Sequence, residues 1–219
     1  MSEDNAAREL ATAALLSSRL CHDLISPVGA LANGLEVLAE ETDAEMRGFA
    51  MDLIQSSASQ ASAKLQFARF AYGAGGSAGD AIDMVEAEQV TRGFLDATKA
   101  ELVWKAPVIA APKDAVKLML NFVMIGLDAI PYGGTIEATM EEESDALQIL
   151  ICAKGKRASI SELTRALLTG DAVTDELDPR SIQAYYAALI TRSLSMKVTL
   201  SEGEEQVAIC TRFSTKSDS

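Results

Sequence analysis

Between Leu20 and Leu38 an apolar side chain recurs at every third or fourth position: Leu20, Leu24, Val28, Leu31, Leu35 and Leu38. No other pattern in the chain restricts its fold as strongly. Steps of four and three draw one stripe along an α-helix, and a helix with such a stripe has to cover it. The helical rhythm runs from about residue 4 to 40. Pro27 falls inside it, removes one backbone donor and predicts a kink one turn after His22. "ETDAEM" then reads as a turn and a restart, with Thr42 as the cap and Glu45 reaching back to it. A second helix is predicted from Asp43 to about Tyr72. Its middle, "QSSASQASAK", is mostly Ala and Ser, so a neighbouring helix can come close. Two such helices make an antiparallel hairpin that is marginal alone. Two hairpins make a four-helix bundle, so a homodimer is expected.

"GAGGSAG", Gly73 to Gly79, reads as a linker, and the pattern changes after it. Helices are expected near 84–99, 113–129, 159–169 and 179–194. Strands are expected at "ELVWK", near 135–141 and 147–153, and as a final pair at 196–201 and 206–212. Helices and strands in this order predict an α/β sandwich with helices on one face of the sheet. The fold class is therefore α+β. Residues 1–73 form a helical hairpin, 74–79 a linker, 80–213 an α/β domain and 214–219 a tail.

The chain carries 19 basic and 32 acidic residues, a net charge of −13. That excludes nucleic acid or an anionic membrane as the main partner, because phosphate contacts need clustered Lys and Arg. Cys21, Cys152 and Cys210 are far apart and form no CxxC pattern, so with one histidine in the chain they make no zinc site. The polar, acidic N-terminus does not read as a signal peptide, and no run approaches the length of a membrane span. A cytoplasmic protein is expected.

The single histidine, His22, lies almost opposite the centre of the leucine stripe, so the core does not claim it. Ser18 stands one turn before it, Ser26 one turn after and Gly29 two turns after, which leaves room for a bulky partner to reach the ring. Asp23 follows directly and can bond one ring nitrogen, leaving the lone pair of the other presented. With a reference pKa of about 6.5, most imidazole is neutral at pH 7, and its attacking nitrogen carries no proton to remove. One exposed His with one carboxylate therefore suffices as a phosphoryl acceptor, whereas a Ser hydroxyl needs a positioned base. A second stripe, Cys21, Ile25, Val28 and Ala32 with Glu36 at its end, runs beside it. This stripe reads either as the seam against a second hairpin or as a dry docking patch.

"HDLISP", His22 to Pro27, resembles the H-box of dimeric sensor histidine kinases, and "NFVMIGLDAIPYGGTI", Asn121 to Ile136, resembles their N-box helix and following glycines. The resemblance implies the kinase ATP-binding (Bergerat) fold for the second domain. The departures imply that nucleotide binding is lost. The position of the magnesium-binding Asn holds Ile125, although Asn121 keeps the earlier one. "AKGKR" replaces the DxGxG turn, with Ala153 where the adenine-reading Asp would stand. No glycine lies between Gly170 and Gly203 to build a lid. An apolar Ile125 cannot hold Mg²⁺.

A kinase-like hairpin with such a domain is similar to the ChpT-type histidine phosphotransferases of the alphaproteobacterial cell-cycle phosphorelay. That resemblance implies a homodimer with His22 as phosphoryl acceptor and donor and Asp23 as its orienting carboxylate. It implies phosphate arriving from the receiver of a CckA-like hybrid kinase and leaving to CtrA-like and CpdR-like receivers. No cofactor is implied for this chain, and Mg²⁺ is expected on the partner receiver. Ser18, Cys21, Ile25, Ser26, Val28, Gly29, Ala32 and Glu36 are the expected receiver-binding residues. Ser26 also stands where related hairpins carry a Thr or Asn that positions water. An ATP-dependent kinase with divergent nucleotide motifs and a non-catalytic dimeric adaptor remain as alternatives.

Overall fold

Two long helices open the chain, α1 over Glu3–Glu40 and α2 over Ala44–Ala71, packed as an antiparallel hairpin. The computed structural model describes residues 3–73, 81–106, 110–143, 146–170, 177–178 and 181–214. The linker expected at 74–79 lies outside the described residues, as does the tail beyond Ser214.

The side chains explain the closeness of the hairpin. Pro27 and Gly34 of α1, and Ala50 and Ser57 of α2, are buried. A Cβ added to Gly34 would stand 2.8 Å from Ile54 Cγ1 and 3.3 Å from the Ala50 carbonyl, so the helices meet across a contact that admits only glycine there. The covered line of α1 thus passes through Pro27 and Gly34. Val28 and Leu35 of the leucine stripe stand outside it, more than half exposed. The helix continues unbroken through Pro27.

The turn between the helices is closed by three side chains. Asp43, not Thr42, caps α2: its Oδ1 accepts from Glu45 N and Met46 N at 3.0 Å. The helix starts at Ala44, one residue later than the capping-box spacing implies, so Asp43 and not Thr42 holds the cap position, and Glu41 Oε1 accepts from the backbone N–H groups of both Thr42 and Asp43. Those two bonds hold the Glu41 carboxyl below the ordinary carboxylate range. Arg47 donates to the Glu41 carbonyl and to that of Leu38, one of the orphan carbonyls at the end of α1.

The rest of the described chain is a layer of helices on one mixed sheet. In order it runs β1 Ala81–Asp83, α3 Met84–Leu95, β2 Ala100–Lys105, β3 Ala110–Pro112, α4 Lys113–Ala129, β4 Gly134–Glu143, β5 Ala146–Lys154, α5 Glu162–Thr169, α6 Ile182–Ser193, β6 Val198–Gly203 and β7 Gln206–Ser214. The five-stranded sheet has the order β2-β4-β5-β7-β6, with β2 and β4 parallel and the other pairs antiparallel. Strands β1 and β3 pair separately. Three residues are too short to show an alternation, so the sequence predicts neither strand.

Alternate residues of β5 and β7 (Ile149 and Ile151, Val207 and Ile209) are buried in the core shared with α4. That helix is apolar almost all round and buried from Ala115 to Gly126. Gly133 and Gly134 turn the chain into β4 at φ 88° and 146°, and a Cβ on Gly134 would lie 2.0 Å from the Lys154 carbonyl. Phe67, Phe70 and Ala71 at the end of α2 belong to this same core, with Phe67 stacked on Phe94 of α3 at 4.1 Å between ring centres. The hairpin is therefore wedged into the second layer.

Candidate functional site

His22 projects from the outer side of α1, its side chain 82% exposed. It stands off the packed line of Pro27 and Gly34 as well as opposite the leucine stripe. Ring Nδ1 lies 3.4 Å from Asp23 Oδ1. The other oxygen of that carboxylate accepts from Arg19 Nε at 3.1 Å, one turn earlier on the same helix. Arg19 also lies 4.0 Å from Asp128 of α4. Burial works against its positive charge, but Asp128 and then Asp23 outweigh that and raise its pKa. The carboxylate beside His22 is thus held by Arg19, which itself reaches the second layer through Asp128.

Pro27 has a further effect here. It offers no N–H to the carbonyl four residues back, which is that of Asp23. That oxygen accepts instead from Lys64 Nζ of α2 at 2.8 Å. The proline frees a polar group on the turn that carries His22, and a cation from the neighbouring helix satisfies it. The i,i+4 spacing of Arg19 and Asp23 was available as a signal for the first contact. Nothing local announces Lys64, which is 41 residues away.

The expected receiver-binding positions, Ser18, Cys21, Ile25, Ser26, Val28, Gly29, Ala32 and Glu36, are all exposed on α1. Ile25 is 70% exposed. A Cβ on Gly29 would meet nothing, so the approach over that turn is open. On α2 Met46, Phe49 and Leu53 are also exposed.

On its other side His22 borders a cleft of about 640 Å³. Arg19 and Asp23 form one wall. Ile125 and Asp128 of α4, Ser159 to Ser161 with Leu163 and Thr164 at the start of α5, and Gln183 of α6 form the opposite one. Ser161 is the cap of α5, its hydroxyl accepting from Thr164 N.

A nucleotide with magnesium does not fit the residues present. Ile125 is a buried aliphatic in the cleft wall and offers no oxygen to a cation. Ala153 is a buried methyl on β5, packed beside Gly126, with nothing to accept from an adenine amine. The surviving Asn121 is buried in protein contacts. Among the described residues no group of three or more His, Cys, Asp or Glu could hold a metal, and no helix is long and apolar enough to cross a membrane. The three cysteines are free thiols, Cys21 exposed, Cys152 buried and Cys210 half-buried.

Comparison with known proteins gives three findings. Residues 84–206 match the model of the histidine phosphotransferase C-terminal domain, more than half of the chain. The protein phosphotransferase ChpT of Brucella abortus (strain 2308) is 42% identical over 194 residues, 89% of this chain and 91% of that one. A bacterial phosphotransferase solved at 1.7 Å superposes with a TM-score of 0.82 at 38% identity, covering 92% of this chain and 96% of the other.

Proposed function

The chain belongs to the histidine phosphotransferase family and is a protein phosphotransferase, and we propose that His22 is the residue on which it carries the phosphoryl group through a phosphorelay. The supporting observation is the exposed ring with its Nδ1 on a carboxylate that Arg19 holds in place.

Chemistry follows from that arrangement. Asp23 accepts the Nδ1 proton, so the neutral ring presents the Nε2 lone pair outward. Nε2 attacks the phosphorus of an aspartyl phosphate on a receiver; the P–N bond forms as the P–O bond breaks, and the receiver's carboxylate leaves. The ring gains positive charge, which Asp23 offsets without giving up or taking a proton. A second receiver's aspartate reverses the step. Little covalent work falls to the protein beyond positioning and charge. The donor is the receiver of a CckA-like hybrid kinase, and the acceptors are CtrA-like and CpdR-like receivers in the cytoplasm. The divalent cation of the transfer comes with the receiver, and ATP takes no part, in line with Ile125 and Ala153.

The exposed apolar surface of the hairpin, with Leu35 on α1 and Phe49 on α2, supports a homodimer joined as a four-helix bundle. Ile25, beside His22, belongs to the receiver's patch.

Incubation with a phosphorylated receiver tests the site. The wild type takes up acid-labile label, and His22→Ala folds normally and takes none. Label retained on that variant would reject His22.

A further inference from the structure

The cleft beside His22 has one wall on the hairpin and one on α4, α5 and α6, and a closed circuit of hydrogen bonds ties α4 and α6 to the end of α2, the helix against which α1 packs. Asn121 of α4 donates from Nδ2 to the carbonyl of Ala71 at 2.9 Å and to that of Lys117 at 2.7 Å. Both amide hydrogens are thereby used, so its Oδ1 must accept, and it does so from Gln183 Nε2 of α6. Gln183 Oε1 in turn accepts from the hydroxyl of Tyr72. Tyr72 follows Ala71, so the circuit begins and ends at the same peptide, the last turn of α2. Each member fixes the orientation of the next, and no amide can flip without breaking two bonds.

The circuit is deep. Asn121 and Gln183 are fully buried, and Tyr72 largely so. Among the described residues no buried side-chain nitrogen or oxygen lacks a partner. Asn121 gives α4 nothing in packing that a leucine would not, and asparagine is a poor residue for a helix interior. Its polarity serves the contact with the carbonyl of Ala71, in the last turn of α2. The ring of Tyr72 packs edge-on to Tyr186 of α6 at 5.8 Å, which brings a second α6 residue to the same joint.

The same helices carry the far wall of the cleft: Ile125 lies one turn beyond Asn121, and Asp128, which meets Arg19, comes next on α4. We propose that Asn121 and Tyr72, through Gln183, act as a positioning clamp that holds α4 and α6 at a fixed distance from α1, so that the cleft beside His22 is built before a phosphorylated receiver enters it. This rests on the phosphorelay reading of His22. None of the three touches the ring, so they act through placement and not as catalytic residues.

The test compares the full-length wild type with Tyr72→Phe, Asn121→Leu and the double variant. Relaxation of backbone amides gives the tumbling time of the hairpin and of the second layer separately. Single-turnover labelling against receiver-phosphate concentration gives the half-saturating concentration and the saturated rate. The clamp requires one common tumbling time in the wild type and two distinct ones in the double variant. It also requires a half-saturating concentration raised at least five-fold with the saturated rate within two-fold. Variants that tumble as one body with unchanged half-saturation would overturn it, and so would a fall in saturated rate alone. If Asn121→Leu does not fold, Tyr72→Phe, which removes one hydroxyl, decides by the same readouts. A wild type that takes no phosphate would sink the reading of His22 instead, and the tumbling times would still judge the clamp.

Discussion

Asp23→Asn is the most informative single change at the site, because it removes a charge and little else. The amide is isosteric, and its oxygen can still accept the Nδ1 proton of His22, so the tautomer is retained. What disappears is the negative charge 3.4 Å from a ring that turns positive during transfer. The ring is 82% exposed and the carboxylate 24% exposed, so the pair is well screened. An effective dielectric of about 80 down to about 40 makes its worth roughly 1.2–2.4 kcal/mol at this distance. That predicts transfer slowed by roughly 8- to 60-fold. Arg19 loses one partner but remains 4.0 Å from Asp128, and stability should fall by no more than about 1 kcal/mol. The assay is rapid-quench transfer from a phosphorylated receiver, with thermal unfolding alongside. Asp23→Ala, which also loses the hydrogen bond, should be slower still. An Asn variant at the wild-type rate would refute the charge argument, and an Ala variant no slower than Asn would refute the tautomer argument.

Other expectations follow from the same geometry. Ile25→Asp should weaken receiver binding by roughly 1–3 kcal/mol, as at an interface hot spot, and leave the oligomeric state unchanged; a variant that dissociates by sedimentation would place Ile25 in the dimer seam. Phe49→Glu, at a position 61% exposed in the single chain, should shift the protein to monomer in the same sedimentation experiment, and an unmoved dimer would locate the contact elsewhere. Calorimetry with ATP and Mg²⁺ should give no binding heat, and micromolar affinity would restore the kinase alternative. Glu41 accepts two backbone bonds that hold its pKa below the unfolded value, so its stabilisation is present above the ordinary carboxylate range and lost as pH falls through the lowered value. Glu41→Gln should therefore flatten the acid side of the melting-temperature profile, and a profile unchanged by the substitution would discount the turn bonds.

Much of this was open to reading because the periods were long. Helix α4 lies at the expected 113–129, since its apolar run is bounded by Pro112 on one side and a Pro-Tyr-Gly-Gly turn on the other. The sheet strands were legible from their alternation, and the close hairpin from its Ala and Ser. Asp43 took the cap in place of Thr42 because two adjacent residues both offer a capping oxygen and the helix starts one residue later, a choice that spacing cannot rank. The position of His22 opposite the stripe was visible on the wheel, but the cleft was not, since it joins residues more than a hundred positions apart. Asn121 reads from the sequence only as the earlier Asn of an N-box. A lone amide in an apolar helix also asks for a buried partner, and that partner came from Ala71 and Gln183.

The bond from Lys64 to the Asp23 carbonyl makes two distant positions conditional on each other. While residue 27 is proline, a carbonyl of α1 has no helical partner, and the ammonium at 64 fills the gap. Were residue 27 alanine, α1 would close its own bond there, and the same ammonium would become a half-buried charge beside a satisfied oxygen. Loss of the lysine is thus harmful in one background and close to neutral or beneficial in the other, a sign change that a double-mutant cycle on Pro27→Ala and Lys64→Met reads directly. Substitutions at position 64 are tolerated or not according to position 27, 37 residues earlier in the chain.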